Sequence, residues 1–257
     1  MANSPRPDIP RPVARAVRQA CGFGCIICGQ MICEIDHVEQ WSENQEHNPD
    51  NLILLCRPHH EMKTHKRLAE GALARARKYP YNLGKSATKA TPLLMPFGNT
   101  FEVLAGSMQI IRTEQNQFEE MSIFQLDNYD VLKIRIEDSV PLFTLRLFDE
   151  NNRQVVDLFE NSVRTVNDLW DVRISGPNFT VQTGAGNIAL HMRFEMPNKM
   201  VIDRANMFYN GIALTIGNGV LTAGGNIFHD GILQDGAVGF SVGHSKDFHY
   251  IPEADYM

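Results

Sequence analysis

The 257-residue sequence predicts an α+β chain in two parts, a small helix-and-hairpin module followed by a larger all-β domain. Three observations predict it. All five cysteines (Cys21, Cys25, Cys28, Cys33, Cys56) fall within the first 56 residues. Charge divides along the same line: residues 1–90 hold 13 Lys+Arg against 9 Asp+Glu, a net +4, and the remainder holds 11 against 21, a net −10. From about residue 130 the apolar positions alternate, with turn residues every 8–12 positions or so, which is the period of strands.

The elements follow in order. The chain opens on an extended Pro-rich arm. Pro12 suits a first helical position, and Val13, Ala16, Val17 and Ala20 follow at helical spacing until Gly22 and Gly24 stop the helix. Residues 25–37 read as a short hairpin carrying Cys25 and Cys28, and residues 38–50 as a polar loop. Asn51 to Leu55 open a compact apolar stretch, and Pro58 starts a single helix reaching Tyr79. A stretch rich in Gly, Lys, Ser, Thr and Pro reads as a linker. The predicted organisation is a module over 1–83, a linker over 84–99 and a β domain over 100–257.

Within that domain Leu132, Ile134 and Ile136 alternate with Lys133, Arg135 and Glu137. Phe143, Leu145 and Leu147 repeat the pattern before the turn Asp149–Asn152. Trp170, Val172 and Ile174 do so again, as do Ile188, Leu190, Met192 and Phe194. This patterning predicts a sandwich or barrel. Beyond residue 205 the turn signals Asn210–Gly211, Gly217–Gly219, Gly224–Gly225, Asp230–Gly231 and Asp235–Gly236 mark tight hairpins, with a short β-helix as the alternative.

The first residues lack the apolar core of a signal peptide, and no apolar run is long enough to span a bilayer. The chain therefore reads as cytoplasmic, with no membrane partner, and clustered cysteines in such a chain suggest a metal rather than disulfides. The basic module attracts phosphate backbones, and that attraction weakens with salt. The acidic β domain would repel such backbones, so it should face away from them or do something else.

Cys25-x-x-Cys28 and Cys56-x-x-His59 have the spacing of zinc ligands, because a two-residue gap lets a turn place both donors on one tetrahedral ion. Cys21 and Cys33 read as packed or solvent-facing thiols, with Cys21 as a competing ligand. Asp36-His37, then Asn51-Leu52-Ile53-Leu54-Leu55, then His60-Glu61-Met62-Lys63 lie between and after the two pairs. The ordered string C-x-x-C-G, D-H, N-L-x-L-L-C and H-H-x-x-K resembles the HNH endonuclease family in its zinc-ribbon-bearing form, over residues 12–78.

That resemblance implies a zinc-stapled ββα-metal module. A structural Zn²⁺ would be held by Cys25, Cys28, Cys56 and His59. His37 would be the general base, and Asp36 with His60 would hold a catalytic Mg²⁺ or Mn²⁺. Asn51 would brace the loop carrying His37, and Lys63, Lys66 and Arg67 would contact nucleic acid. The commonest form of the motif has a second Cys-x-x-Cys before its last histidine. Here His59 goes to zinc and His60 to catalysis by position, and the sequence leaves their exchange open. The implied activity is hydrolysis of DNA in restriction or phage defence, with the β domain building a homodimer or higher oligomer, binding a partner or sensing a ligand. Two alternatives stand beside it, a non-catalytic zinc module and a sensor whose β domain gates the nuclease. His47 reads as solvated and His65 as exposed beside Lys66 and Arg67. The helix bearing Arg75, Arg77 and Lys78 reads as a basic face. His191, His229, His244 and His249 are given no chemistry.

Overall fold

In a computed structural model, which describes residues 7–39, 41, 46–93, 96, 100–113, 120–137, 140–164 and 169–243, the chain folds around two apolar cores. The smaller core gathers α1 (Arg11–Ala20), β1 (Glu34–His37), β2 (Leu52–Leu55) and, beyond α2 (Arg57–Thr64), which buries no residue, α3 (Glu70–Lys78). Helix α1 stops as its glycines predict. Gly22 adopts φ +64°, Phe23 N–H donates to the Arg18 carbonyl at 2.8 Å and Gly22 N–H to Gln19 at 3.0 Å, a Schellman closure.

Two local expectations are corrected. The hairpin does not form within residues 25–37. Cys25 to Gly29 close a tight turn, with Gly29 N–H donating to the Cys25 carbonyl at 2.8 Å. β1 instead pairs antiparallel with β2, Glu34 opposite Leu55 and His37 opposite Leu52. Every residue of β2 is buried, and a strand apolar on both faces has to be covered on both. The long helix from Pro58 also breaks. α2 ends in a second Schellman closure, Arg67 N–H donating to Met62 at 2.7 Å and Lys66 N–H to Lys63 at 3.0 Å, with Lys66 at φ +55°. The polar run Thr64-His65-Lys66-Arg67 has no apolar stripe to carry a helix onward.

The larger core lies between two sheets. β3 (Thr100–Ala105) and β4 (Met108–Thr113) pair antiparallel. β5 (Glu120–Leu126), β6 (Tyr129–Glu137), β7 (Val140–Phe148), β8 (Gln154–Phe159) and β9 (Ser162–Arg164) form one sheet in sequence order. β10 (Asp171–Ser175), β11 (Asn178–Gly184), β12 (Asn187–Glu195), β13 (Lys199–Tyr209), β14 (Ile212–Gly217), β15 (Val220–Ala223) and β16 (Asn226–Phe228) form the other. The first half of β13 takes β3 as a parallel neighbour, and its second half takes β14. β17 (Ile232–Gln234) then joins β4 in parallel, and β18 (Val238–Val242) joins β5.

Rings meet across the gap between the sheets. Phe143 on β7 lies 5.7 Å from Phe194 on β12, Tyr129 on β6 lies 4.5 Å from Tyr209 on β13, and Phe228 on β16 lies 4.6 Å from Phe240 on β18. The architecture is an open sandwich. A barrel needs one unbroken ladder, and the two ladders stay separate among the described residues, which removes the barrel alternative. The β-helix alternative falls too. Asn210 (φ +47°) and Gly211 (φ +82°) make the left-handed pair of a tight hairpin between β13 and β14, and Asn218–Gly219 and Gly224–Gly225 turn the next two. Asp230–Gly231 and Asp235–Gly236 are not hairpins; they deliver β17 and β18 to different sheets.

The stretch read as a linker is anchored where it is described. α4 (Tyr81–Lys85) seats the buried Asn82, whose Nδ2 donates to the Gly22 carbonyl at 2.8 Å. Residues 87–91 then form a strap. Lys89 N–H donates to Gly29 at 2.8 Å on one side, and Thr88 N–H donates to Val163 on β9 at 2.8 Å on the other. Residues 94, 95 and 97–99 of that stretch lie outside the described residues, as do His244 and His249. No helix among the described residues is long and apolar enough to cross a membrane.

Candidate active site

Four donors meet where the Cys25–Cys28 turn faces the start of α2. Cys25, Cys28, Cys56 and His59 each place one ligand atom within 4.8 Å of the others. Cys25 Sγ is 3.5 Å and Cys56 Sγ 3.1 Å from His59 Nδ1, and Cys28 Sγ is 3.7 Å from Cys56 Sγ. Zn–S bonds of about 2.3 Å and a Zn–N bond of about 2.0 Å hold such pairs roughly 3.5–3.8 Å apart in a tetrahedron. The set therefore fits one tetrahedral ion with small shifts. Local sequence builds it: Cys56 caps α2, and Pro58 in the first turn starts the helix that turns His59 back over Cys56.

The thiols' proton affinities point the same way. The Cys33 thiol beside it holds Cys25 down at about 4. Burial pushes Cys56 up to about 12 and raises Cys28. Burial thus disfavours the thiolates of Cys28 and Cys56, and a divalent ion is what would let them ionise. Cys33 lies outside the four-donor set, its Sγ 2.8 Å from the Gln30 carbonyl. Cys21 lies outside it as well. Its buried Sγ accepts from Leu54 N–H at 3.4 Å, and burial raises the thiol to about 11.

The remaining motif residues collect at the end of β1. Asp36 Oδ1 is 3.8 Å from His60 Nε2, and accepts from His37 N–H at 2.8 Å. Asp36 and His60 side chains are 15% and 39% exposed, so His60 is the solvent-facing member of the pair. Lys63 does not extend toward solvent as a phosphate contact would. It donates to Asp36 Oδ2 at 2.7 Å and to the His37 carbonyl. Residues 60 and 63 share a helix face, so both reach the same carboxylate. Lys66 and Arg67 are exposed in the turn after α2, not on a helix. Asn51 is buried at the end of a short 3₁₀ turn (Pro49–Asn51). Its Oδ1 accepts from Glu39 N–H at 2.9 Å and its carbonyl from Val38 N–H at 2.8 Å, so it clamps the two residues after His37.

His37 is only 2% exposed. Its ring lies 5.3 Å from Trp41, edge-on, and 5.5 Å from His47, and those two rings stack at 4.8 Å. His47, expected to be solvated, is thus part of the wall around His37, and its Nε2 lies 2.9 Å from the Pro7 carbonyl oxygen. The indole supplies an apolar surface that the polar character of the loop hid. Asn82 was also not singled out. A Cβ at Gly24 or Gly29 would come within 2.5 or 2.4 Å of its amide, so both glycines make room for it. The C-G-F-G-C-x-x-C-G spacing is the signal that such a seat exists. His191, given no chemistry, has Nδ1 2.5 Å from Asp203 Oδ1. His229 is exposed.

Residues 19–66 match the family model for HNH endonucleases. No curated protein and no solved structure matches the chain.

Proposed function

On the premise of an HNH endonuclease module at residues 19–66, we propose that the protein is a divalent-metal-dependent endonuclease hydrolysing DNA phosphodiester bonds. The observation that carries the reading is the approach of Asp36 Oδ1 to His60 Nε2 at 3.8 Å, with His37 the next residue along β1 and its backbone N–H on the same carboxylate. His37, its loop clamped by Asn51, takes the proton of the attacking water. The Trp41–His47 wall has to yield for that water to reach the ring. Asp36 and His60 would hold Mg²⁺ or Mn²⁺ once the Lys63 ammonium leaves the Asp36 carboxylate, and the ion would supply charge stabilisation at the leaving oxygen. Cys25, Cys28, Cys56 and His59 hold a structural Zn²⁺, and since His59 and His60 are adjacent, that ion also fixes the start of the helix that aims His60. Lys66 and Arg67 supply exposed positive charge beside the site.

The test is a plasmid digest with Mg²⁺ or Mn²⁺, comparing the native protein with His37→Ala. Cleavage is expected to fall by about 10²–10⁴-fold, the scale of a lost general base. Equal cleavage by a folded variant would remove His37 from the chemistry. A role in restriction or phage defence, and a homodimer assembled through the sandwich, extend this reading by analogy to the family. Light scattering that finds only monomer, free and on DNA, would remove the dimer.

A further inference from the structure

Where α1 meets the sandwich, the surface opens into a groove of about 680 Å³ that the nuclease chemistry leaves unused. α1 supplies one wall and strands β10 to β13 the floor. Five arginines line it, Arg11, Arg15 and Arg18 from α1 with Arg173 and Arg204 from the sheet. Two of them build the groove. Arg18 donates to both oxygens of Asp171 at 2.7 and 2.6 Å, and the Arg15 guanidinium lies 4.1 Å from the centre of the Trp170 ring. The other carboxylate in the lining, Asp203, is engaged by His191 at 2.5 Å. Arg11, Arg173 and Arg204 are exposed and have no ion-pair partner among the described residues.

The floor is ordered as well as charged. Arg173 on β10 is opposite Thr180 on β11, Thr180 is opposite His191 on β12, and His191 is opposite Arg204 on β13. Cross-strand partners share a face. At about 4.8 Å per strand the row runs roughly 14 Å from one arginine to the other. A single DNA strand carries a phosphate about every 3.4 Å of helix axis, so this length suits an extended backbone rather than one phosphate group. The sandwich's net negative charge does not oppose this. At physiological salt, charges beyond about 8 Å are screened, and the local set decides.

The arm before α1 also leads from the groove toward the candidate active site. Ile9 lines its rim, and Pro7, two residues earlier, touches the His47 ring that walls His37. Two residues reach at most about 7 Å.

We infer that this groove is a second DNA contact, gripping the phosphate backbone of a duplex whose neighbouring segment lies at the HNH site. The identity of the polyanion rests on the nuclease reading; the charge and the row do not. Binding of the full-length protein to a duplex of about 30 base pairs, read by fluorescence anisotropy in Mg²⁺-free buffer between about 50 and 200 mM salt, tests it. Arg173→Glu with Arg204→Glu is expected to weaken binding by at least about tenfold and to flatten the salt dependence by about two charges. Hydrolysis of bis(4-nitrophenyl) phosphate, too small to reach the groove, stays unchanged. Arg173→Gln with Arg204→Gln moves binding in the same direction and melts like the native protein, which separates charge from misfolding. Unchanged affinity and salt dependence in both variants overturn the inference. So does stabilisation by inorganic phosphate or AMP that needs these arginines while duplex binding does not. If the native protein cuts no DNA but binds it through Arg173 and Arg204, the nuclease reading fails and the groove stands.

Discussion

The two cores are held by different means. Among the described residues nine are buried in the smaller one, and two of them, Cys25 and Cys56, are also donors of the candidate metal site. Among the described residues the larger core buries 38, with Phe124, Phe143 and Phe179 among its largest, and none of them is a donor of the candidate metal site. A module with so few apolar residues requires a staple, whereas a sandwich of this size stands on burial alone. In the module, the apolar core and the candidate metal site therefore share residues. The sandwich core shares none with that site, and surface side chains are free to do recognition. The cores still touch: Phe23 and Met31, beside the metal turn, pack into the larger one.

Stripping the metal breaks this comparison most directly. Structural zinc contributes about 10–16 kcal/mol of apparent free energy in small zinc-binding peptides. Chelation is expected to abolish amide-exchange protection over residues 12–78 and to spare β5 to β8. Cys28 and Cys56 are raised by burial, so an incoming ion has to displace their protons. Metal retention is therefore expected to fall as pH drops and to rise toward alkaline pH. Full protection of the module after complete metal loss would mean that its core stands unaided.

Truncation within the sandwich probes the other side. Leu145 is 1% exposed between the sheets. Leu145→Ala should destabilise the sandwich by about 2–5 kcal/mol. Bound metal should stay at its native stoichiometry. Loss of metal in step with sandwich unfolding would show that the two cores fold as one unit.

What the sequence made legible was local. The two donor pairs, the glycine stop of α1, the alternation of the strands and the Asn210–Gly211 hairpin are all set within a few residues, where spacing and turn chemistry act. What it hid depends on pairing between distant segments. β1 takes its partner beyond a loop of more than a dozen residues, and no periodicity in residues 25–37 says so. The row from Arg173 to Arg204 exists only because four strands align in one register, and register is fixed by the whole sheet. If the groove grips DNA, net charge misleads for the same reason, since it sums residues that never face one groove. Lys63 shows a further limit: its helix face was predictable, but not the carboxylate that captures it.

A smaller effect tests how the regions are joined. Arg18 and Asp171, 14% and 7% exposed at their side chains, tie α1 to β10. Arg18→Met leaves Asp171 buried and unmatched, at about 1–3 kcal/mol. Exchange should quicken in α1 and β10 first. If cleavage rises in this variant, the sandwich restrains the module, the gating alternative raised by the sequence. If cleavage and exchange are both unmoved, the join is made by the strap at residues 87–91.

The smallest effect has the opposite sign. Lys66 closes α2 at φ +55°, a conformation that glycine adopts freely and other residues pay about 1 kcal/mol to hold. Lys66→Gly is therefore expected to stabilise the module by about 0.5–1 kcal/mol in metal-limited denaturation. The same change removes an exposed charge beside the candidate site, so the salt dependence of DNA binding should flatten by about one charge. Both shifts together would mean that a strained lysine persists at a glycine position for its charge. A stability gain with unchanged DNA binding would move the phosphate contacts away from this turn and leave more of the grip to the sandwich.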